Sequence, residues 1–439
     1  MSDVPQFAVD PWLGPLPAGW TIKRLGALGQ LIKGRGGSKE DNRDAGVPVV
    51  RYGDLYTKFD ITIAEPAAFV SEEDAAKYTS LAKHSLVFAA SGESAEDIGK
   101  SALSLLAEPA VVGGDAVVFH PDDEIDPLYL AYTLESTPMR SYKAIRSTGF
   151  TVVHISAGKL KTLPIPCPPR PAQRVIADYL DRETARIDML IEEQQRLIEM
   201  LHERRFALRT HVALHGTTSV EEIESPLPWA RVLPVRWRVV PLTSVADLES
   251  GHTPSRSRED WWTDCYIPWV SLHDVGTMRG TKYLQDTAQH ISDAGIANSS
   301  ARLLPARTVV LSRDATVGRT AIMGIPMATS QHFAAWVCGP LLDPEYLWVL
   351  FQDAMQPFVD SFQNGSTIRT IGMGDLKAFR IPLPPLDEQR RIVAYLDDET
   401  AKIDGLIAET ERFIELSKER RSALITAAVT GQVGVREVV

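Results

Sequence analysis

The sequence predicts an α+β protein in which two mixed α/β domains alternate with two long helices. Three observations lead to this fold class: a long internal repeat, an apolar stripe of helical spacing in each copy of that repeat, and short β-like runs in the rest of the 439-residue chain. We expect the two helices to pair as an antiparallel coiled coil, because each stripe needs a partner and the chain offers two of them.

The repeat gives the molecule its predicted order. Residues 173–191 read QRVIADYLDRETARIDMLI, and residues 389–407 read QRRIVAYLDDETAKIDGLI. Fainter echoes reach the start of each half, where Trp20 matches Trp237. Two copies of one unit generate an approximate two-fold axis. The predicted domains are a first mixed α/β domain at 1–164, a central helical region at 165–216, a linker (217–236) with a second such domain at 217–380, and a C-terminal helical region at 381–439.

Each repeated segment is predicted to be one long helix. Proline-rich runs at 164–171 and 382–385 hold the backbone extended just before it, and Gly216 and Gly431 mark its end. About 40 residues at 1.5 Å each give a rod of roughly 60 Å. The apolar stripes are Ile187, Leu190, Ile191, Leu197, Ile198, Leu201 and Leu208, and in the second copy Ile403, Leu406, Ile407, Phe413, Ile414 and Leu424.

The segments between the helices have a different pattern. Short runs of β-branched and aromatic residues alternate with Gly, Ser, Pro and Asp clusters, which is typical of strands and turns. The predicted strands include 47–50, 86–89, 117–119, 267–270 and 309–311, and helical stretches are expected around 127–146 and 344–361. Each segment therefore reads as a mixed α/β domain.

Composition limits the class of protein. There are 46 Lys and Arg against 57 Asp and Glu, and the net charge of −11 taken alone argues against a nucleic-acid partner. No apolar run is long enough to span a bilayer, and no secretory signal is visible at the N-terminus. Cys167, Cys265 and Cys338 lie far apart, which argues against a disulfide framework or a zinc site and fits a cytoplasmic protein.

The two-fold layout nevertheless suits duplex DNA, because a two-fold protein can read two half-sites along the helix axis. The alternative is a duplicated scaffold that carries two protein-binding heads. Candidate base readers are side chains that can pair with base edges, chiefly Arg and Lys with guanine and Asn and Gln with adenine. The DNA-binding candidates are Lys33, Arg35, Lys39, Arg51, Tyr52, Ser91, Lys100 and Thr151 in the first domain, and Thr253, Ser255, Arg256, Arg258, Arg313, Gln331, Ser366, Thr367 and Arg369 in the second.

For any one of these residues, an ordinary solvated loop is the competing interpretation. The helices offer a second set of candidates, for contact with partner proteins, although extended core packing explains them equally well. These partner-binding candidates are Tyr179, Leu180, Glu183, Tyr395, Leu396 and Glu399. A metal site is not expected, because His202, His211 and His215 have no counterparts in the second helix and no paired carboxylate.

Several segments resemble a known family. PLPPLDEQRRIV at 382–393 is followed by YLDDETAKID at 395–404, with a copy at 165–188, and the second domain adds SGHTPSR at 250–256 and YIPWVS at 266–271. In these motifs and in its two-half length, the chain resembles the specificity (S) subunit of type I restriction–modification enzymes. The first domain has SGESAEDIGKS at 91–101 instead, which is similar to another subtype of recognition domain.

The resemblance implies a non-catalytic, prokaryotic DNA-recognition subunit used in host defence. Each domain would read half of a bipartite asymmetric site, and the helices would set the gap and dock two modification subunits. Restriction subunits would join, and the cofactors S-adenosylmethionine, ATP and Mg would bind to these partners and not to this chain. Consistently, the sequence has neither an Asn/Asp-Pro-Pro-Tyr methylation motif nor a GxxxxGK[ST] phosphate loop. The alternatives are a coiled-coil scaffold with two protein-binding heads in a defence or antirestriction assembly, and an enzyme with a site between the heads.

Overall fold

A computed structural model describes residues 9–10, 12–37, 39–149, 151–218, 220–361 and 370–434. These residues form two compact units. The first contains the described residues up to 195 together with those from 411 onward, and the second contains residues 196–410. Each unit therefore combines one α/β domain with one part of each long helix.

The first unit is built on two sheets. A five-stranded sheet has the order β4-β13-β9-β11-β6, and a four-stranded sheet has the order β7-β5-β12-β8. The strands are β1 (Val9–Asp10), β2 (Gly14–Pro15), β3 (Thr21–Arg24), β4 (Gly29–Lys33), β5 (Val47–Val50), β6 (Thr62–Ile63), β7 (Ala68–Val70), β8 (Thr79–Leu81), β9 (Leu86–Ala89), β10 (Ser91–Gly92), β11 (Ser101–Ser104), β12 (Ala110–Val112), β13 (Ala116–Pro121), β14 (Val153–His154) and β15 (Pro164–Cys167). The helices are α1 (Tyr52–Thr57), α2 (Glu72–Ala75), α3 (Pro127–Glu135), α4 (Thr137–Arg146), α5 (Ala157–Leu160) and the long α6 (Arg170–His215).

The five-stranded sheet separates two layers of core, as the alternation along β9 illustrates. Leu86 and Phe88 pack in the cluster that contains the α3 residues Tyr129 and Leu130. The intervening Val87 packs instead with residues of the four-stranded sheet. Successive side chains of a strand point to opposite faces, so a fully apolar strand is buried on both sides.

The helical layer is divided where the sequence predicts one helix over 127–146. The side chain of Asp126 accepts hydrogen bonds at the start of α3, and Pro127 fits the first turn. The helix ends at Glu135, and α4 begins after Ser136, with Pro138 in its first turn. Because proline disrupts the interior of a helix, Pro138 could have predicted this break from the sequence alone.

The second unit repeats the strand order of the first. Its five-stranded sheet, β19-β26-β23-β24-β21, matches the first one strand for strand, and β22-β20-β25 matches three strands of the smaller sheet. The strands are β16 (Glu222–Leu227), β17 (Ala230–Pro234), β18 (Arg238–Pro241), β19 (Ala246–Ser250), β20 (Ile267–Val270), β21 (Tyr283–Leu284), β22 (His290–Ile291), β23 (Val309–Ser312), β24 (Thr320–Met323), β25 (Ala328–Thr329), β26 (Phe333–Cys338) and β27 (Arg380–Leu383). The helices are α7 (Val275–Met278), α8 (Asp293–Ala297), α9 (Pro344–Val349), α10 (Gln356–Ser361), α11 (Met373–Lys377) and the long α12 (Leu386–Val429), with a π-helical turn at Leu350–Ala354.

The segment predicted to be a linker, 217–236, contains a β-hairpin. Strands β16 and β17 pair in antiparallel fashion, and Leu227 and Leu233 are buried in the core of the second unit. The segment thus packs against the second domain, because burying these apolar side chains is favourable.

The long helices confirm the predicted antiparallel pairing within each unit. In the first unit, Nε of Arg421 lies 2.9 Å from Oδ1 of Asp188, and residues near the end of α12 pack with Ile176 and Leu180 near the start of α6. In the second unit, Arg205 forms an ion pair with Asp404, and Leu201 packs with Ile403 and Ile407. Gly216 and Gly431 follow the helix ends with φ of +79° and +72°, as predicted for glycine stops.

Each domain holds its own helix through matched contacts. The side-chain oxygen of Gln173 accepts from the backbone of Asp126 at 2.7 Å, and that of Gln389 accepts from the backbone of Asp343 at 2.8 Å. Both amide groups also donate to a carbonyl of the preceding proline-rich run at 2.9 Å. The glutamine that begins each repeat motif therefore links three parts of its unit: the long helix, the proline-rich run and the α/β domain.

Candidate nucleic-acid interface

Both domains present a similar rim, formed by the loops that follow the equivalent strands β4 and β19 and the equivalent strands β12 and β25. In each rim a glycine packs directly against the facing backbone. A Cβ on Gly34 would lie 2.1 Å from the carbonyl oxygen of Gly113, and a Cβ on Gly251 would lie 1.6 Å from that of Thr329. Only glycine tolerates such an approach, which keeps the two loops of each rim together.

In the first domain the rim opens into a cleft of about 880 Å³. Three of the predicted DNA-binding residues, Lys33, Arg51 and Tyr52, line it together with Lys58. The rest of the lining combines glycine backbone, including Gly34, Gly36, Gly37, Gly113 and Gly114, with the carboxylates of Asp54 and Asp115 and with small or uncharged side chains. The fold therefore brings together basic side chains from separate segments around an open wall that offers peptide groups.

The basic residues in and around the cleft differ in their exposure and in their contacts. Arg35 is exposed in the glycine-rich loop between Gly34 and Gly36. Lys39 begins a short 3₁₀ turn, but its side chain lies outside the described residues. Lys58 forms a 3.0 Å ion pair with Asp54, and the backbone N–H of Arg51 donates to the same carboxylate at 3.1 Å.

The other first-domain candidates differ in their surroundings. Ser91 is buried below the surface, and Thr151 is exposed on the segment before β14. Lys100 lies in an internal network, with Nζ 3.0 Å from Asp60 and 3.3 Å from Glu135. Burial lowers the pKa of Lys100, but the attraction of these carboxylates outweighs it and the net shift is upward. Because its charge is already neutralised, Lys100 is a poor phosphate ligand.

The second-domain loop after β19 carries two arginines in different states. The guanidinium of Arg258 forms a two-point pair with Asp260 at 2.9 and 2.8 Å. Arg256 lies 4.7 Å over the Trp262 ring and makes one longer hydrogen bond, of 3.4 Å, to Gln289. Ser255 is exposed and hydrogen-bonded to Ser257 at 2.9 Å. Arg256 therefore has donors left for a ligand, whereas the charge of Arg258 is paired at two points with a carboxylate.

The remaining second-domain candidates lie at the rim or cannot be placed. The hydroxyl of Thr253 donates to the side chain of the exposed Gln331 at 2.7 Å. Arg313 is half-buried, and its backbone N–H donates to His332 at 2.9 Å. Three further candidates, Ser366, Thr367 and Arg369, lie outside the described residues.

The helix candidates separate into exposed and buried residues. Tyr395 is 41% exposed, and Tyr179, Glu183 and Glu399 are partly exposed. Leu180 and Leu396, however, are 0% and 2% exposed, because each packs in the core of its unit. The expectation that these two leucines form a partner surface was wrong, and their role in this structure is core packing.

Sequence reasoning missed several rim residues. Asp115 lines the first cleft, and His154 is exposed beside it, held by Ser91. Trp262 supports Arg256, whose guanidinium lies over its ring. His332 lies beside Gln331 and pairs with Asp314. These residues are isolated in sequence and become neighbours only through strand pairing, so no local motif marks them.

Other kinds of site find little support in the described ranges. Within these residues, no group of three or more His, Cys, Asp and Glu side chains is arranged to hold a metal ion. The rings of His211 and His215 stack, and Nδ1 of His215 lies 2.6 Å from Oε1 of Glu222. None of the helices in the part of the chain that the structure describes combines the length and apolarity needed to cross a bilayer.

The fold and the two rims define a class of protein: a duplicated, two-domain recognition protein. Comparisons with known proteins agree. The model of the type I restriction modification DNA specificity domain matches residues 17–200 and 234–415. The type I restriction enzyme MjaX specificity subunit of Methanocaldococcus jannaschii is 23% identical over 434 residues, with 97% of this chain and 96% of that protein covered. The EcoR124I/EcoR124II specificity subunit of Escherichia coli is 24% identical over 277 residues, covering 61% and 62%.

Solved structures share the fold. A chain from a study of complex assembly and conformational transition in the type I R-M system matches with a TM-score of 0.73 at 20% identity, covering 95% of this chain and 99% of that one. The HsdS subunit of Thermoanaerobacter tengcongensis matches with a TM-score of 0.58 at 19% identity, covering 95% and 98%. The chain belongs to the type I restriction modification DNA specificity family, and it is a non-catalytic, DNA sequence-recognition subunit.

Proposed function

We propose that each domain reads one half of a bipartite, asymmetric duplex DNA site through its rim. The observation that carries this proposal is the pair of equivalent rims whose scaffold is the same and whose polar side chains differ. The first offers Lys33 and Arg51 beside a glycine wall, and the second offers Thr253, Gln331 and Arg256. Different donors and acceptors on one scaffold would select different bases, so the two half-sites should differ in sequence.

The net charge of −11 is compatible with this proposal. The rims carry basic side chains such as Lys33, Arg51 and Arg256, which phosphates could contact, and acidic side chains elsewhere are held in ion pairs, as Glu135 is with Lys143. A locally basic surface is sufficient for phosphate contact, and partner subunits can add further cations.

We further propose that the exposed faces of the helices dock two modification subunits. The same four positions recur on both helices at helical spacing: Tyr179, Glu183, Arg186 and Leu190 on α6, and Tyr395, Glu399, Lys402 and Leu406 on α12. Leu190 and Leu406 are 36% and 51% exposed, although apolar residues gain from being covered. Two equal stripes suit two copies of one partner, which restriction subunits would then join. We propose that this assembly acts in the cytoplasm, where a prokaryotic cell holds its DNA.

An exchange of one domain tests the bipartite reading. Replacing residues 17–164 with the matching domain of another specificity subunit should change one half-site and leave the other half-site and the gap unchanged. The readout is genome-wide mapping of methylated adenines in cells that express the chimera with its modification subunit. A methylated sequence identical to that of the parent chain, or changed in both halves, would contradict the proposal.

The helices are proposed to set the gap between half-sites. Inserting one heptad into α6 after residue 195 and one into α12 before residue 411 should lengthen the gap by about three base pairs, because seven residues add about 10 Å. Methylation mapping should find both half-sites unchanged and only the gap altered. An unchanged gap in an active assembly would rule out this role.

A further inference from the structure

A chain of hydrogen bonds crosses the rim of the second domain. Nδ1 of His332 lies 2.9 Å from Oδ2 of Asp314, and Nε2 of His332 lies 3.4 Å from the amide nitrogen of Gln331. The oxygen of that same amide accepts from the hydroxyl of Thr253 at 2.7 Å. Three side chains, from three segments, therefore orient one exposed glutamine.

The partners constrain the proton positions along this chain. A carboxylate only accepts hydrogen bonds, so Nδ1 of His332 donates to Asp314, and a ring with this single N–H proton presents a lone pair at Nε2. That lone pair accepts one N–H of Gln331. The glutamine is left with one N–H donor and one free acceptor position on its oxygen, and both lie on an exposed side chain.

The first domain contains a related chain with a different outcome. The hydroxyl of Ser91 donates to Oδ1 of Asp115 at 3.3 Å and lies 2.9 Å from Nδ1 of His154. In the arrangement in which the single proton of Ser91 points to the carboxylate, Nδ1 of His154 donates to the Ser91 oxygen. In that tautomer the exposed His154 presents the lone pair of Nε2 to solvent.

The two chains occupy the same place in the fold. Ser91 and Asp314 each follow the central strand of the five-stranded sheet, and Asp115 and His332 each precede the strand beside it. The backbone N–H of Ile155 donates to the residue before Ser91 at 2.9 Å, and that of Ile371 donates to the residue before Asp314 at 2.8 Å. In both domains a carboxylate orients a histidine, but the exposed group at the end of the chain differs.

We propose that these terminal groups, Gln331 and His154, determine base specificity in their respective half-sites. This inference rests on the proposed function. The free donor and acceptor of Gln331 match N7 and N6 of adenine. The lone pair of His154 matches an exocyclic amino group, N6 of adenine or N4 of cytosine. Asp314, His332, Ser91 and Asp115 are positioning residues.

The sharpest test changes a preference instead of abolishing it. Gln331→Glu replaces the donor with an acceptor, so one position of the second half-site should change from adenine toward cytosine, whose N4 donates to carboxylates. The purified assembly of this chain with its modification subunit selects from a pool of randomised duplexes, and the retained duplexes are sequenced. We expect the adenine preference at that position to fall about tenfold, and the first half-site to stay unchanged.

Further variants separate positioning from folding. His154→Ala should lower the preference at a single position of the first half-site by about tenfold and leave the second half-site unchanged. Ser91→Ala should weaken the same position less, because His154 remains but loses its orientation. Gln285→Glu, which makes the same chemical change on an exposed glutamine elsewhere in the second domain, should leave the motif intact.

The outcomes distinguish this inference from the function on which it rests. A parent assembly that selects no bipartite sequence overturns both. A parent assembly that selects one, with a motif unaffected by Gln331→Glu and His154→Ala, overturns the inference alone. Loss of a whole half-site in these exposed variants, or an equal effect of Gln285→Glu, also overturns it.

Discussion

The two recognition domains share one strand order but differ in how their helical layers are secured. In the first domain, Glu135 at the end of α3 meets Lys143 of α4 at 3.3 Å, and both side chains are buried. In the second, the helical layer passes through the π-helical turn, and its Asp353 pairs with Arg209 of α6 at 2.7 Å. A common sheet thus tolerates different polar anchors, as long as each buried charge has a partner.

The anchors also differ electrostatically. Burial raises the pKa of Glu135, but the charges of Lys143 and Lys100 outweigh it, so the net shift is downward. For Asp353 burial prevails over Arg209, and the pKa is raised. Glu135 therefore adds stability above about pH 4.3, the ordinary pKa of glutamate, which is lost in acid. The pH dependence of stability has the opposite sign for Asp353. Its contribution to folding stability is favourable in acid and is lost as the pH rises through its raised pKa.

The largest effect is expected when the ion pair between Glu135 and Lys143 is broken. Glu135→Gln leaves the ammonium of Lys143 buried without its carboxylate, which should cost about 3–5 kcal/mol of unfolding free energy. Hydrogen exchange of peptides from α3 and α4, measured in the intact chain, should speed up, while exchange in α9 stays unchanged. Equal changes in both units would contradict the separate anchoring of the two domains.

A matched variant sharpens this result. Replacing both partners, Glu135→Gln with Lys143→Met, removes the unpaired charge and should recover much of the loss. The double variant should also lose the acid dependence that Glu135 gives the first unit. Persistence of that dependence would assign it to another group.

A smaller effect, on binding of a modification subunit, is expected for the tyrosines at equivalent positions of the two long helices. Tyr179→Ala and Tyr395→Ala each remove the aromatic residue of one helix stripe, and each should weaken binding of a modification subunit by about 2 kcal/mol, as for an aromatic interface anchor. Titration of the chain with that subunit, followed by mass determination, should find one weakened site in each single variant and two in the double variant. Two intact sites in the double variant would place the docking surface elsewhere.

The smallest effect, on DNA binding, is expected for the two arginines of the loop after β19. Arg256→Ala should weaken DNA binding by about 1 kcal/mol and lower the salt slope by about one if Arg256 contacts a phosphate. Arg258→Ala is its matched control, because Asp260 already occupies that guanidinium and the loss should be close to zero. Binding isotherms of the assembly at several salt concentrations measure both, and an equal loss would show that the Asp260 pair opens on DNA.

The sequence was most informative where the signal is local. The strands at 47–50, 86–89 and 267–270 and the two helix ends were predicted, since apolar runs and glycine stops act over a few residues. The first cleft was only partly predictable. Its basic residues were candidates one by one, but their meeting with Gly113 and Asp115 depends on pairing between strands far apart in sequence.

Two features that the sequence analysis did not foresee have the same origin. Leu180 and Leu396 lie beside tyrosines that are at least partly exposed, and periodicity alone could not decide which residue of each pair faces the domain. The hairpin of β16 and β17 was not predicted, because its polar residues are typical of a linker. Its few leucines become buried only when the unit folds. In both cases the missing information was the neighbouring surface.

The shared anchoring of the helix ends has a consequence for biosynthesis. The core of the first unit includes Ile425, Ala428 and Val429, and the hydroxyl of Tyr129 reaches the carbonyl of Val429 at 3.4 Å across a separation of 300 residues. The second unit, residues 196–410, is continuous in the chain. We therefore expect the half that leaves the ribosome first to complete its core last, after the final turns of α12 have been translated. Protease protection of ribosome-bound chains of increasing length would reveal that order.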